Sequence, residues 1–290
     1  MTIDLINRYQ LGEQMDCGSQ GQVVSGIDTI TNQQVAIKIF PISKPTGAAG
    51  FACEYLVHKI MQGKSKRLCC VLESFQIPNK FGFIVMEKYK QDLFDLCFSS
   101  EQKLTEKKIK RIFKAICKGI RDLHTRGIAH LDIKPENVLV DKNNKPFICD
   151  FGCSYVFNLE DPSKVSNKVR KSVIENLRGR GTRKYAAPEV FTTDEFNPFC
   201  ADIWSLGILL HAMLTSFFPV SINDSSSELN LTLAEQTMSK STFTLLASML
   251  AVDPTSRPSI ENVLAREYFG KRRCYKVRKQ AGKIIQLASI

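Results

Sequence analysis

The sequence predicts an α+β fold in two lobes, a small antiparallel N-terminal sheet carrying one helix and a larger, mainly helical C-terminal part. Three observations predict it. Residues 9–40 alternate the short runs YQLGEQM, QVVSGID and QQVAIKIF with Gly, Asp and Asn, the pattern of strands joined by tight turns. From Thr105 onward the apolar residues recur at helical spacing instead, with Ile109, Ile112, Phe113, Ile116, Ile120 and Leu123 on one stripe. The period changes near Tyr89, which divides residues 9–88 from 89–269. At 290 residues, 43% hydrophobic and 24% charged, the chain can bury the core of one large domain or two lobes and lacks the composition of a disordered one.

Between the first two strands lies Asp16-Cys17-Gly18-Ser19-Gln20-Gly21-Gln22-Val23. Gly18 and Gly21 allow backbone amides to approach a triphosphate, and Val23 could cover a flat base; a plain glycine-containing hairpin fits the same residues. Lys38 lies inside the apolar strand Val35-Ala36-Ile37-Lys38, where an ammonium needs an anion or a carboxylate partner unless it snorkels to water. After the loop KPTGAAG, residues 51–61 read as an amphipathic helix with Phe51, Tyr55, Val57 and Ile60 available for packing and Glu54 available to Lys38. Gly63-Lys64-Ser65 is no phosphate loop, because His58 stands where its earlier glycine is needed and no strand leads in.

Residues 69–75 and 81–87 read as strands around Pro78-Asn79-Lys80, followed by a linker through Lys88, Tyr89 and Lys90. Thr105 can cap the long helix and Gly127 stands just past its end. The next stretch, IAHLDIKPENVLV, sets the carboxylate of Asp132 beside Lys134 and Asn137 in a polar loop between two apolar runs. Carboxylate, ammonium and carboxamide suit a reaction of anions, although a turn entering a strand would read alike. Residues 150–189 show little periodicity and many polar side chains, as a long loop does. Residues 201–214 read as a buried helix, and 232–252 and 259–269 as two more, separated by Asp253-Pro254-Thr255-Ser256-Arg257-Pro258. Residues 270–290 form a basic tail, solvated or carrying a nuclear signal.

The formal net charge of +11 favours acidic partners, whether proteins, phosphate ligands, nucleic acid or an anionic membrane surface. Ten cysteines contain no C-x-x-C pair, only the doublet Cys69-Cys70. Reduced thiols in a soluble, cytoplasmic protein are therefore expected, and no zinc site. The first ten residues lack a signal-peptide pattern, and Thr2 excludes N-myristoylation of a chain starting at Met1. The longest apolar segment, 203–214, is interrupted by Ser205 and His211 and reads as too short to cross a membrane.

The order HLDIKPEN, then Asp150-Phe151-Gly152, then Ala187-Pro188-Glu189 resembles the eukaryotic-type serine/threonine protein kinases. The resemblance runs over residues 9–269 and implies the bilobal protein-kinase-like fold, with ATP and Mg2+ as cofactors and transfer of the γ-phosphate to serine or threonine hydroxyls of proteins. It implies that Gly18 and Gly21 cover the phosphates, that Lys38 contacts them and that Glu54 orients Lys38. Val23, Ala36 and Leu139 would sandwich the adenine, with Met15 joining the nucleotide-binding set. Met86 would be the gatekeeper, the backbone of Glu87 and Lys88 would read the adenine edge, and Asp92 is a candidate for the ribose. Asp132 would be the catalytic base, Lys134 a partner of the transferring phosphate, and Asn137 and Asp150 the magnesium ligands.

Lys134 and Gly181-Thr182-Arg183-Lys184-Tyr185 resemble the serine/threonine rather than the tyrosine branch. Asp202 and Arg257 match structural anchors of the family, which pairs Arg257 with Glu189. HLD together with DFGCS is similar to Mos-type kinases, and a kinase encoded by a large DNA virus stays open. Two positions depart from the pattern. Asp16 replaces the usual first glycine of the loop, placing a carboxylate near the phosphates, and Leu131 replaces the arginine before the catalytic Asp, which elsewhere collects an activation-loop phosphate. Activity without phosphorylation of Ser163, Ser166 or Ser172 is the expectation. The rival class is a pseudokinase acting as a binding module, against which Lys38, Asp132 and Asp150 are all present. Lys164, Lys168, Arg170, Lys171, Arg178, Arg180, Arg183 and Lys184 outnumber Glu160, Asp161 and Glu175 in the activation segment, so an acidic protein substrate is expected ahead of nucleic acid.

Overall fold

Alternation along β3 (Gln33–Phe40) divides the N-terminal lobe into two packed faces. Val35, Ile37 and Ile39 point one way, onto Tyr9, Val24, Phe83 and Val85. Ala36 and Phe40 point the other, onto Cys69, Ile84 and Met86, and Lys38 shares their side of the strand. The computed structural model describes residues 7–99, 103–157, 181–193, 195–219 and 231–270. The three serines and six of the eight cations singled out in the activation segment, all within residues 158–180, and the basic tail after Gly270, lie outside them. β3 is the middle of a five-stranded antiparallel sheet ordered β1-β2-β3-β5-β4, with β1 at Tyr9–Gly18, β2 at Gly21–Asp28, β4 at Val71–Ile77 and β5 at Phe81–Glu87.

Helix α1 covers Pro45–Met61 and starts at Pro45 rather than at residue 51. The glycines of KPTGAAG read as a loop, but here they serve close packing. A methyl on Gly47 would collide with the carbonyl of Pro41, and one on Gly50 would meet the side chain of Gln20. Proline at the first turn loses nothing, because its N–H would have no intrahelical acceptor.

The second lobe is built on α2 (Glu106–His124), capped by Thr105 through Lys108 N. All six residues of its predicted stripe are buried. Five short strands complete this lobe, one of them, β8, the strand that the Pro-Glu-Asn turn could enter. β6 (Gln91–Asp92), β8 (Val138–Val140) and β9 (Pro146–Ile148) form one sheet, and β7 (Ile128–Ala129) pairs with β10 (Tyr155–Val156). Two or three residues are too few to show a period of two. α3 (Glu189–Thr192) is a single turn, and α4 (Pro198–Thr215), capped by Asn197, is buried on nearly every face. Among the described residues, α4 is the one helix long and apolar enough to cross a membrane, correcting the shorter segment expected there, and 78% of it is buried inside this fold.

The single helix expected at 232–252 is two, α5 (Thr232–Thr237) and α6 (Lys240–Met249). The break has a local cause: Met238 turns extended and Ser239 caps the second helix by accepting from Thr242 N. α7 is likewise shorter than 259–269, ending at Ala265 because Arg266 is extended, with one turn of 3-10 helix beyond it.

One buried ion pair ties these helices together. Arg257 donates to Glu189 at 2.6 and 2.9 Å and to the carbonyls of Ala251 and Cys200 at 2.8 and 3.0 Å. Replacing one partner strands the other charge away from water. Arg257→Met is therefore expected to lower the unfolding free energy by about 3–5 kcal/mol, measured by urea denaturation; an unchanged midpoint would contradict this.

Candidate active site

β3 brings Lys38 to the inner face of the sheet, buried among apolar side chains. Two carboxylates from distant elements meet it. Its Nζ lies 2.7 Å from Glu54 Oε2, carried by α1, and 2.7 Å from Asp150 Oδ1, which follows β9. Burial alone would discharge the ammonium, but the attraction of Glu54 and Asp150 outweighs it and holds the Lys38 pKa above that of an ordinary lysine. Burial likewise works against the Asp150 carboxylate, and Lys38 outweighs it, so this pKa lies below the usual range. Asp150 sits in the left-handed region at φ 62° with Gly152 N donating to its Oδ1 at 3.3 Å. Its side chain is 39% exposed, so one side of the carboxylate opens to the cleft.

The loop between β7 and β8 carries the second cluster. Asp132 Oδ1 accepts from Thr182 N at 2.8 Å, and Oδ2 accepts from Asn137 Nδ2 at 2.9 Å and Lys134 Nζ at 3.2 Å. Lys134 also donates to Thr182 Oγ1 at 2.9 Å. Burial lowers the Lys134 pKa, yet Asp132 draws it above the ordinary lysine value. Asn137 reaches the Asp132 carbonyl as well, at 2.8 Å, which commits its NH2 group and leaves its amide oxygen outside these bonds.

What holds this loop is Asp202, fully buried on α4. It accepts from His130 N and Leu131 N at 2.8 Å each, and His124 Nε2 lies 2.8 Å away. Leu131 needs that grip, because φ of 63° is costly for a residue with a Cβ. His130 is oriented too. Asp132 N donates to its Nδ1 at 3.2 Å, which leaves Nε2 to donate to the Cys149 carbonyl at 3.1 Å.

Between the clusters the sheet supplies an apolar wall. Val23, Leu139 and Cys149 pack on the group that contains Ala36 and Met86, and β6 sets Asp92 opposite Leu139. Asp92 Oδ1 accepts from Asp95 N at 2.8 Å, and burial raises the carboxyl pKa. Met15 stays outside this wall, 51% exposed on β1. Glu87 N donates to the Cys70 carbonyl at 3.0 Å, so this N–H is engaged within the sheet, and Lys88 is exposed. Asp16 is exposed and turns its Oδ1 to Cys17 N at 2.7 Å, a local partner that accounts for a charge at this point of the loop.

Two residues of the site went unnoticed in the sequence. His58, one turn beyond Glu54, places Nε2 3.8 Å from Glu54 Oε1 and sets its ring on edge to Phe151, with His130 on Phe151 as well; the i, i+4 spacing from Glu54 was the available signal. Gln20, between the two glycines, reaches across to Gly50 and Gly152, and no local pattern announces that.

With this geometry in place, the comparisons identify the class. The protein kinase domain family matches residues 9–269, and the chain belongs to that family. Three relatives illustrate the breadth of the likeness. The probable serine/threonine-protein kinase KIN1 homolog of Encephalitozoon cuniculi is 27% identical, over 96% of this chain and 49% of that protein. CBL-interacting protein kinase 16 of Oryza sativa subsp. japonica is 26% identical, over 92% of this chain and 58% of its own length. Maternal embryonic leucine zipper kinase of Danio rerio is 26% identical, over 91% of this chain and 38% of its own. The chain thus spans between 38% and 58% of these relatives.

Thiol chemistry separates two cysteines near the cleft. Cys17 is exposed near the end of β1, whereas burial pushes the Cys149 thiol well up, and those of Cys69 and Cys117 with it. Iodoacetamide at neutral pH, followed by mass spectrometry, should modify Cys17 well before these three. Equal rates at Cys17 and Cys149 would refute the assignment.

Proposed function

We propose that the chain transfers the γ-phosphate of ATP to serine or threonine hydroxyls of proteins, with Asp132 as the base. The observation that carries this is the carboxylate of Asp132, held at both oxygens by Thr182, Asn137 and Lys134. A fixed carboxylate flanked by an ammonium can take the proton of an incoming hydroxyl while the cation faces the charge on the phosphoryl group.

The residues fit a nucleotide. A methyl on Gly18 would touch nothing within 4 Å, so the fold itself does not require glycine there and the space above it is open. Val23, Ala36, Met86 and Leu139 offer a flat apolar slot for the base. Lys38, already charged and fixed by two carboxylates, offers its ammonium to phosphate oxygens. Among the described residues no three His, Cys, Asp or Glu side chains could hold a metal by themselves. That suits Mg2+, which takes one or two protein oxygens and completes its shell with phosphate and water; the open oxygens of Asp150 and Asn137 would hold it. When bound, Mg2+ neutralises charge on the phosphates.

Asp132→Asn should preserve the fold and nucleotide binding while lowering phosphate transfer on the order of a hundredfold or more. Phosphatase-treated protein is the right form for the radiolabelled-ATP assay, because Leu131 is packed in the apolar core and cannot gather a loop phosphate. Activity of that wild-type form, lost in Asp132→Asn, is the expected outcome. Equal inactivity of both would favour the pseudokinase alternative.

The same reading extends to acidic substrates. Arg183 and Lys184, both exposed, directly follow Thr182, whose N–H holds the Asp132 carboxylate. These two exposed cations, lying over Phe191 and Phe218 just after the residue that anchors the base, would steer anionic sequences and speed their arrival more than they tighten the final complex. A peptide array with acidic, neutral or basic residues around one serine should favour the acidic set at low salt. Arg183→Glu should erase that lead, and an arginine-rich winner would end the idea.

A further inference from the structure

We propose that Gln20 is a positioning residue for the bound nucleotide, a latch that fastens the β1–β2 turn onto α1 and onto the segment after Asp150. This rests on the nucleotide site proposed for the cleft. The turn is short, since Gly18 and Gly21 are paired across the two strands and only Ser19 and Gln20 lie between them. Residues 10–19 are exposed, and Gln20 is the first to be partly buried.

Its side chain occupies a slot between two glycines on different elements. A methyl on Gly50 would come within 2.8 Å of Gln20 Oε1 and 3.0 Å of Cδ, and one on Gly152 would collide with the same amide oxygen. The amide nitrogen lies 3.7 Å from Cys153 Sγ, a long and weak contact. Both surfaces matter to the site. Gly50 lies one turn before Glu54, and Gly152 lies two residues after Asp150, so Gln20 rests on the two elements that supply Lys38 with its carboxylates. A neutral amide suits the position, because it can dock there without adding charge beside the phosphates. The turn that would cover the phosphates is thereby tied down at its tip, and nucleotide leaving under it must first free Gln20.

The slot can be closed without touching the cleft. Gly50→Ala puts a methyl where the Gln20 amide sits, and alanine is the better residue inside a helix, so the melting temperature should hold or rise. Release of a fluorescent ATP analogue, followed by stopped flow, should quicken by about two- to tenfold, the span of one modest contact. Gln20→Ala should quicken it equally, and the double variant no further, because both changes break the same contact. The KM for ATP should rise in all three without a fall in kcat, a split that a general loosening of the fold would not produce. Wild-type release rates in both single variants, or effects that add in the double, would overturn the latch while leaving the nucleotide site intact. A wild-type chain that does not bind the analogue would overturn both.

Discussion

An ammonium inside an apolar sheet has to be matched by anions, and much of the geometry follows from that requirement at Lys38. Alternation along β3 points its side chain inward with Ala36 and Phe40, where water cannot compensate the charge. Neither of its carboxylates is on the sheet. Glu54 requires α1 to dock with one particular face inward, and Asp150 requires the chain leaving β9 to turn through a left-handed residue. One cation therefore fixes the relative placement of three elements, two of them in the first lobe and one in the second. Two carboxylates against one ammonium also leave an excess negative charge, and it lies on the Asp150 side that opens to the cleft. That excess is opposite in sign to the charge of the Mg2+ proposed for the cleft.

The second lobe solves a comparable problem with the signs reversed. Asp202 is a buried carboxylate in the most apolar helix of the chain. Its partners are chiefly backbone N–H groups, those of His130 and Leu131, which no substitution short of proline can remove. The loop around Asp132 is thus held by its main chain from below, while the polar side chains of Asp132, Lys134 and Asn137 are left for the cleft. This is why Leu131 can be kept at a positive φ, and why its apolar side chain, turned into the core, costs the site nothing in geometry.

How far these arrangements could be read in the residues depends on the range of the interaction. The alternation of β3 and the stripe of α2 are local patterns with many repeats, and both emerged directly. The meeting of Lys38 and Glu54 was readable as one of the answers to a charge in an apolar strand, and the structure selects the carboxylate over snorkelling to water. Pro45–Met61 was misread at its start, since glycine signals both loops and close packing and only the neighbouring Pro41 and Gln20 decide between them. The split after Met238 hid for a different reason, an apolar period that continues through a backbone break. Gln20 and Cys153 are separated by 133 positions, and nothing along the chain couples a polar turn residue to a side chain so far away. Met15 was placed by resemblance alone with the nucleotide-binding residues, and it is exposed on β1.

The charged pair Arg257–Glu189 and the carboxylate of Asp132 lie at the two ends of one described stretch, 181–189. At its start, Gly181 has φ 85° and approaches the Leu131 carbonyl so closely that a Cβ would not fit, which brings Thr182 N onto Asp132. At its end, Glu189 is clamped by Arg257, and between them Tyr185 and Ala187 are buried in the core. Thr182 is therefore placed by contacts on both sides of it. An apolar Leu131 fits such a design, because its carbonyl receives Gly181 while its side chain packs in the core. The orientation of Asp132 then follows from the backbone N–H of Thr182 on one oxygen and the side chains of Asn137 and Lys134 on the other.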